Sequence, residues 1–426
     1  MNRIVFVAIY FLFLFQAHGE EKTDTTQSKT REEKIDNLLN KFKNFDISGY
    51  GVINYYHFND ETLPDKRDAF DVERFNLYLK YHFNDKIELK TEIEFEHGGA
   101  GGSMEFDPLE EFGEFGKDLT KGGEVVLEQM NIQYKVHPAF KIRAGKLKLQ
   151  LGNAAPLDRP INYYTGYRSE VENTLLPLGW YEVGIEFSGD IPLKKGKTYP
   201  ALGYNAYLVS GLDNTGFSSL NFVRRGYQKR FEMINADNIA YALRLDYKFK
   251  EKNYIGFNVY AGNGSGNRPK KDFNLPAWLV TGDVHFNIEE DNWRITGYFM
   301  TAHLQNSEKL SAANRNLSNN LGVKRTPVGK IAMGSYIEAG YNFLNLIQNK
   351  ETQQKLFLFG RFDYYDSMFR TEGNITDNPR YERFVYTGGI NYFPIKNIVL
   401  KSHFSHKKLG TKETENTFLL GFGFSF

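Results

Sequence analysis

The last ten residues of the chain, 417–426, read TFLLGFGFSF, and large apolar side chains occupy every second position of this stretch. The set comprises Phe418, Leu420, Phe422, Phe424 and Phe426. A period of two places alternate side chains on opposite faces of a β-strand. Because free termini usually fray, an apolar strand at the end of the chain predicts that this face is bathed by something other than water.

The composition excludes several classes of protein. Of the 426 residues, 25% are charged and 15% aromatic, and the mean hydropathy is −0.50. No long apolar run follows the N-terminal segment, which excludes a bundle of membrane-spanning helices. The chain has no cysteine, so disulfides, thiol catalysis and cysteine metal sites are excluded. The net charge of +1 provides no global field for nucleic acid, and the aromatic residues and 39 glycines favour a β-rich protein.

The N-terminal segment, 1–19, is MNRIVFVAIYFLFLFQAHG. It combines an early arginine, an apolar run and small residues at its end, which is the pattern of a secretory signal peptide. We therefore expect a signal peptide over 1–19, a polar periplasmic segment over 20–45 that contains a short helix or is a linker, and one domain over 46–426. The alternative for the first segment is an uncleaved anchor helix, for which the apolar run is short.

From Asp46 onward, the sequence alternates between apolar and polar residues. In YALRLDYKFK, residues 241–250, the odd positions are aromatic or leucine and the even positions include arginine, aspartate and lysine. About sixteen such segments of roughly ten to thirteen residues follow one another, whereas globular strands average about five or six residues. A strand that crosses a bilayer at a tilt needs about this length. The pattern predicts an all-β fold, namely a transmembrane antiparallel up-and-down β-barrel.

The connections between these segments alternate between short and long. The tight turns are NDK (84–86), HPA (137–139), KEKN (250–253), EEDN (289–292) and PIKN (394–397). Each is followed one strand later by a longer connection, as in a barrel with short periplasmic turns and long external loops. The final strand would then pair with the first, so that its apolar side chains face lipid and no strand edge is left open in hydrocarbon. The alternative is a soluble sandwich with an aromatic last strand.

Barrels of about sixteen strands enclose a water-filled channel, and the inward positions here are predicted to be polar. The candidates for lining the lumen are Lys141, Arg143, Lys146, Lys148, Arg244, Arg294, Arg361, Arg383, Glu92, Glu94, Glu182 and Glu186. In the fifth strand the parity of the basic residues switches at Gly145, which indicates a bulge and leaves open which of its four cations reach the lumen. Acidic third and sixth strands opposite a basic wall over 355–408 would set a transverse field. The alternative is that each charge is only solvated.

Four stretches carry a resemblance to a known family. They are FDISGYGVINYYHF (45–58), IRAGKLKLQLG (142–152), GRFDYYDSM (360–368) and GGINYFPIKNIVLKSHF (388–404). In their order and spacing the chain resembles the porins of Gram-negative bacteria, and most closely the broad group that includes the phosphate-selective O and P porins. The resemblance implies passive diffusion of ions and small hydrophilic solutes, with anions such as phosphate as candidates, and neither a cofactor nor enzymatic activity.

The same resemblance implies several partners. They are outer-membrane lipid and lipopolysaccharide, the barrel assembly machinery that reads the C-terminal strand, and two further copies in a homotrimer. The phosphate-selective members carry ladders of arginine and lysine along the pore. Here carboxylates are interleaved with the cations, so the resemblance by itself does not extend to phosphate selectivity.

Porins commonly fold the third external loop into the barrel, and the resemblance implies the same for residues 151–179. This loop carries Asp158, Arg159 and Arg168, which we expect at a constriction. The competing interpretation is a surface loop. The next long loop carries the basic stretch NFVRRGYQKRF (221–231), which could gather anions, bind lipopolysaccharide phosphates or do neither.

Two alternatives from other classes stay open. A barrel hydrolase would need a general base, for which His82, His285, His403 and His406 are candidates, although none lies in a nucleophile motif. A plugged structural or adhesive barrel would have the same strands and long loops. The acidic stretch 105–118 offers oxygen ligands for calcium, but its spacing matches no calcium-binding loop, so we expect a solvated loop and no metal there.

Overall fold

The computed structural model describes residues 42–99, 123–177, 179–226, 234–267, 275–316, 326–347 and 353–426. They form a closed barrel of sixteen antiparallel strands, in which each strand pairs with its neighbours in sequence and the last pairs with the first. This confirms the predicted all-β up-and-down barrel and its strand count.

The strands run from 9 to 16 residues in length. They are β1 (Phe45–Asp60), β2 (Ala69–His82), β3 (Ile87–Glu96), β4 (Glu124–His137), β5 (Phe140–Lys148), β6 (Tyr181–Pro192), β7 (Ala201–Val209), β8 (Ala240–Lys248), β9 (Tyr254–Asn263), β10 (Trp278–Glu290), β11 (Trp293–Leu304), β12 (Ile331–Asn342), β13 (Lys355–Arg370), β14 (Glu382–Ile395), β15 (Ile398–Leu409) and β16 (Thr414–Ser425).

Turns connect the strands at one end of the barrel, the turn end, and loops connect them at the other, the loop end. All five tight turns predicted from the sequence lie at the turn end. Two further turn-end connections, 193–200 and 343–354, are longer. Three loops matter below and are called L3 (149–180), L4 (210–239) and L6 (305–330).

The helices are short. They are α1 (Glu170–Leu175) in L3, α2 (Ser307–Arg315) in L6 and α3 (Leu344–Ile347) at the turn end. In the described ranges, no helix has both the length and the apolarity that crossing a bilayer requires.

Contacts divide the chain into two compact units, Met1–Phe45 and Asp46–Phe426. The structure describes only residues 42–45 of the first unit. The predicted signal peptide and nearly all of the segment after it therefore lie outside the described residues. The same holds for the acidic stretch 105–118 and for the later part of the basic stretch in L4.

The barrel closes between β1 and β16. The Gly49 N–H donates to the carbonyl oxygen of Phe426 at 3.0 Å, and the Phe426 N–H donates back at 2.9 Å. On the outer face, the rings of Phe424 and Phe426 lie where a Cβ at Gly51 or Gly49 would be. Glycine at these two positions of β1 therefore leaves room for the rings of the closing strand.

The two faces of the wall differ in solvent exposure. On β16, Leu420 is 45% exposed and Phe422 39%, whereas Leu419, next to Leu420 in the sequence, is fully buried. Phe418 and Phe424 are half-buried on the same outer face. The outer face of the barrel thus carries a band of exposed apolar side chains, which matches the alternation in the sequence.

The interior at the loop end is packed with apolar side chains. L3, L4 and L6 all contribute to one buried cluster with inward residues of the strands. Its members include Leu149, Val171, Leu175, Phe217, Phe222, Leu310, Tyr260, Met300 and Tyr336. Each fully buried apolar side chain stabilises the packing by about 1.5–3 kcal/mol. Packed loops therefore fill part of the interior at this end, where the sequence predicted a water-filled channel narrowed by the third loop.

Candidate functional site

L3 crosses the interior of the barrel and contacts opposite walls. Near its start, the Asn153 amide donates to the carbonyl oxygens of Phe286 on β10 and Gly297 on β11, at 3.3 and 2.9 Å. Further along, the Gly166 N–H donates to Nε2 of His403 on β15 at 2.9 Å. L3 therefore lies inside the barrel rather than on its surface.

Asp158, in the middle of L3, is shared by three cations. The Lys148 ammonium lies 2.5 Å from its Oδ2, and the guanidinium groups of Arg168 and Arg74 lie 2.7 and 3.2 Å from its Oδ1. The Tyr50 hydroxyl also donates to Oδ2 at 2.9 Å. Burial alone would raise the pKa of Asp158, but the three cations hold that pKa well below its usual range. This carboxylate ties L3 to β1, β2 and β5.

Tyr164 anchors L3 to the opposite wall. Its ring stacks on Phe359 with centroids 5.0 Å apart and lies 5.3 Å from the ring of Phe357. The guanidinium carbon of Arg294 is 4.4 Å from the Tyr164 ring centroid. A Cβ at Gly340 of β12 would collide with this ring. The pocket of the Tyr164 ring therefore combines apolar packing and a cation–π contact, and it requires glycine at position 340.

Three successive carbonyl oxygens of L3 accept hydrogen bonds from inward side chains of β14 and β15. The Lys401 ammonium donates to those of Tyr163 and Thr165, both at 2.7 Å. The Asn391 amide donates to that of Tyr164 at 2.9 Å. These bonds satisfy backbone groups that would otherwise be buried without partners.

The inner face of the closing strand lies against L3. A Cβ at Gly166 would collide with the side chain of Leu419. Nη1 of Arg159 donates to the Ser425 hydroxyl at 3.0 Å. The odd positions of β16 from Thr417 to Ser425, small or aliphatic in the sequence, therefore provide the surface on which L3 rests.

Opposite charges lie side by side on each wall. Arg361 is bonded to Asp363 at 2.8 Å and lies 3.4 Å from Glu338. Nε of Arg244 donates to Asp246 at 2.6 Å. These pairs neutralise Arg361 and Arg244 locally, and the transverse field between an acidic and a basic wall stays a prediction.

The cations of β5 divide between the two faces. Arg143 pairs with Glu186, and Lys141 lies opposite the inward Ser188 of β6. Gly145 has a φ of +133°, but the pairing of β5 with β4 and β6 continues through it without a register shift, so the predicted bulge is wrong.

Lys146 does not line the lumen, and its inclusion among the lumen candidates was wrong. It lies opposite Met130 on β4 and Val183 on β6, which are 52% and 40% exposed on the outer face. Residues directly opposite each other in a sheet share a face. Its ammonium folds back to the carbonyl oxygen of Leu127 at 2.8 Å and lies 3.8 Å from Glu128.

The predicted acidic residues of β3 and β6 point inward and are buried. Glu92 and Glu94 both accept from the side-chain amide of Asn76, at 3.0 and 2.6 Å. Glu182 accepts from the indole N–H of Trp180 at 3.1 Å. Their hydrogen-bonding capacity is thus used by neighbouring side chains.

Two predicted arginines face L3 or an aromatic ring. Nη1 of Arg294 donates to the carbonyl oxygen of Ile161 in L3 at 3.1 Å. The guanidinium carbon of Arg383 lies 5.4 Å from the ring centroid of Tyr365. Both arginines are nearly buried, so they act within the loop–wall contact.

A pair of lysines on the lumen face went partly unrecognised in the sequence. Lys80 and Lys90 lie directly opposite each other on β2 and β3 and are half-buried. Within the described part of the chain, no carboxylate lies within 4.0 Å of either ammonium, and nearby Glu92 pairs with Lys148 instead. The parity that Lys90 shares with Glu92 was the signal for its inward direction. The sequence did not indicate that Glu92 would pair with Lys148 and leave Lys80 and Lys90 without a close carboxylate.

The buried histidines do not form a hydrolytic site. His285 lies between Asp246 and Asp283, at 2.8 and 2.7 Å. His403 uses Nε2 for L3 and has Nδ1 3.4 Å from the Ser405 hydroxyl. Neither imidazole has both a hydroxyl nucleophile and an orienting carboxylate. Among the described residues, no group of three or more histidine, aspartate or glutamate side chains is placed to hold a metal ion.

Glu172 of α1 joins the two ends of L3. Its Oε1 accepts from the backbone N–H groups of Asn153 and Ala154, both at 2.9 Å. Burial raises the pKa of Glu172 from 4.5 to about 7. The Ala154 N–H opposes this rise, Asp283 of β10 adds to it and Arg361 of β13 opposes it. The docked loop therefore holds this proton more tightly than a loop in water would.

We expect the docking of L3 to weaken as the pH rises. A group whose pKa is raised in the docked state favours docking below its ordinary pKa, so docking should weaken about tenfold per pH unit between about 4.5 and about 7 and level off above that. Glu172→Gln should flatten this profile. Limited proteolysis of L3 in detergent from pH 4 to 8 measures it. A variant that keeps the wild-type pH profile would contradict the assignment to Glu172.

The fold is a closed sixteen-stranded antiparallel barrel, and it matches the fold of solved outer-membrane porins. A structure of Salmonella typhi OmpF in complex with daunomycin has a TM-score of 0.52 and 10% identity, covering 90% of this chain and 97% of that one. A high-pH structure of Pseudomonas putida OprB has a TM-score of 0.51 and 11% identity, covering 94% and 97%. At these identities the likeness is one of fold.

Sequence comparison finds a distant relative of this chain. A protein of Aquifex aeolicus (strain VF5), described as uncharacterized, is 24% identical over 380 residues, which is 88% of this chain and 78% of that protein. No protein-family model matches the chain. Functional statements therefore depend on the lumen itself.

Proposed function

We propose that the protein is a bacterial outer-membrane channel for passive diffusion of ions and small hydrophilic solutes, with L3 as its constriction. The exposed apolar band supports a membrane location. The contacts of Asp158 and Tyr164 support a fixed position for L3. Transport in such a channel follows the solute gradient and uses no cofactor, and we propose no catalytic role.

The observation that carries the proposal is the uneven burial of the inner wall. Inward side chains of β10 to β15 are nearly all buried under the loops, including Asn287, Glu338, Asn391 and His403. On β2 to β5 the inward residues toward the loop end, such as Asn76, Glu92 and Gln129, are also buried, but Lys80, Lys90, Lys141 and Arg143, nearer the turn end, remain half-buried. We infer that solutes pass along these half-buried cations, on the turn side of the contacts that tie L3 to β2 and β5.

Anions, phosphate among them, are the proposed preferred solutes. Like charges directly opposite each other destabilise a sheet, and Lys80 and Lys90 have no close carboxylate to offset that cost among the described residues. A transient anion would supply the missing counter-charge. This local positive field also supports kinship with the broad group that includes the phosphate-selective O and P porins.

The remaining parts of the proposal follow from the same barrel. The segment 1–19 would direct secretion and be cleaved, 20–45 would lie in the periplasm, and 46–426 would form the barrel. The barrel assembly machinery would read the closing strand, and lipid and lipopolysaccharide would surround the wall. A homotrimer is the proposed assembly.

Reconstitution into a planar bilayer tests the channel and its ion preference together. We expect discrete conductance steps and a reversal potential in a KCl gradient that favours chloride. Lys80→Gln combined with Lys90→Gln should lower the anion-to-cation permeability ratio. One charge at about 4 Å in water contributes about 1 kcal/mol, or about fivefold in local ion concentration. Repeating the gradient with potassium phosphate measures the preference for that anion.

Lys146→Gln is the matched control, because it removes one cation from the outer face of the same wall. It should leave the reversal potential unchanged. Equal shifts in both variants would contradict the role of the lysine pair. A folded protein that gives no conductance steps would favour a plugged structural barrel, the candidate that the apolar cluster at the loop end supports.

A further inference from the structure

The outer wall has an apolar groove near the turn end. It is a cavity of about 660 Å³ lined mainly by Trp293, Tyr341, Phe343 and Leu358, with Gly360 and Gly388 in its floor. The rings of Trp293 and Tyr341 lie 4.9 Å apart, and that of Phe343 lies 5.7 Å beyond. The groove thus has a rigid aromatic wall.

The depression follows from strand register. Ala339, Gly360 and Gly388 lie directly opposite one another on β12, β13 and β14. The next row toward the turn end is Tyr341, Leu358 and Ile390, and the next row toward the loop end is Ile337, Phe362 and Tyr386. Two rows of large side chains therefore flank a row that has almost none.

The floor of the groove is open space. A Cβ at Gly360 would have no atom within 4 Å, and one at Gly388 would meet only the carbonyl oxygen of Phe359 at 3.9 Å. Neither glycine is required by close packing within the protein. Glycine inside a strand weakens it and often marks the close approach of another molecule.

The surroundings of the groove identify what fills it. It is continuous with the exposed apolar band of the wall, where Leu358, Ile337 and Tyr386 are 51%, 53% and 53% exposed. In a barrel whose strands tilt by about 35–45°, a groove across the strands is itself inclined and can hold a flexible chain within the hydrocarbon layer. The groove has an almost wholly apolar lining, which excludes a polar headgroup.

We propose that this groove binds one acyl chain of a phospholipid of the turn-side leaflet. The aromatic wall at Trp293, Tyr341 and Phe343 would hold one side of the chain, and the bare floor at Gly360 and Gly388 would allow it to contact the backbone. A bound chain gains dispersion contacts that a lipid on a filled surface lacks. The proposal depends on the proposed membrane location but not on conduction.

Filling the groove tests the proposal. The barrel with Gly360→Leu and Gly388→Leu should fold, because both positions have room for a side chain. Native mass spectrometry of folded protein in detergent, titrated with palmitoyl-oleoyl phosphatidylethanolamine, should detect one tightly held lipid on the wild-type barrel. Occupancy at a fixed lipid concentration should fall at least about tenfold in the double variant, since about 1.4 kcal/mol of lost contact gives that factor.

Gly282→Leu is the matched control. Gly282 lies on the outer face of β10, and a Cβ at this position would meet only the Asn258 carbonyl oxygen, at 3.8 Å. This variant should retain lipid as the wild type does. Equal lipid retention by all three proteins would overturn the proposal, as would loss of a dimer or trimer in the double variant with lipid retained, which would assign the groove to a second copy of the chain. Conductance of the double variant should stay at the wild-type level, so that failure of lipid binding is distinguishable from failure of the channel.

Discussion

Asp158→Ala should release L3 from the wall formed by β1, β2 and β5 and raise the single-channel conductance severalfold. The substitution leaves Lys148, Arg168 and Arg74 buried without the carboxylate that they share. Removing one member of a buried ion cluster costs about 3–5 kcal/mol, which is comparable with the packing that holds a loop. We therefore expect L3 to leave its position and the three cations to be hydrated.

A control variant separates the role of the Asp158 carboxylate from the general effect of removing one negative charge. Asp190→Ala is the control, since Asp190 pairs with Lys248 and is 48% exposed, and pairs of that kind contribute at most about 1 kcal/mol. It should leave conductance and thermal stability unchanged. An Asp158→Ala channel with wild-type conductance and wild-type resistance of L3 to proteolysis would show that the loop is held without this carboxylate.

Tyr164→Ala should detach the same loop from the opposite wall. The ring is fully buried against Phe357 and Phe359, and truncation of a buried aromatic residue costs about 3–5 kcal/mol. L3 would still be tied to Asp158's cations, so we expect large conductance fluctuations rather than one wider state. Single-channel noise and cleavage of L3 by added protease measure the effect.

Tyr164→Phe is the matched control for that substitution. It keeps the ring that packs against β13 and beside the Arg294 guanidinium, and it removes only the hydroxyl. We expect quiet, wild-type channels from it. Fluctuations as large as those of the alanine variant would assign the anchoring to the hydroxyl and contradict the packing argument.

The sequence predicted the wall better than the contents of the lumen. Successive side chains of a strand point to opposite faces, so a strand with one lipid face and one polar face must alternate, as residues 417–426 do. This pattern does not depend on what the rest of the chain does. Lys146 shows where the predicted bulge misled, since the pairing runs unbroken through Gly145 and regular alternation from the inward Arg143 puts Lys146 on the outer face. Lys90 shows a second limit: its direction was readable, but its lack of a close carboxylate depends on the pairing of Glu92 with Lys148.

The amino-acid sequence by itself determined the barrel, its strand count and the end at which the turns lie. These features depend on local rules of period, length and turn composition, which act within one strand or between neighbours. Only the tertiary structure decided that L3 is held between Asp158's cations and the ring pocket of Tyr164, and that L4 and L6 pack the loop end. Many of those contacts join residues far apart in the chain, as between Tyr50 and Asp158, which are 108 positions apart, and no local pattern encodes which distant side chains meet.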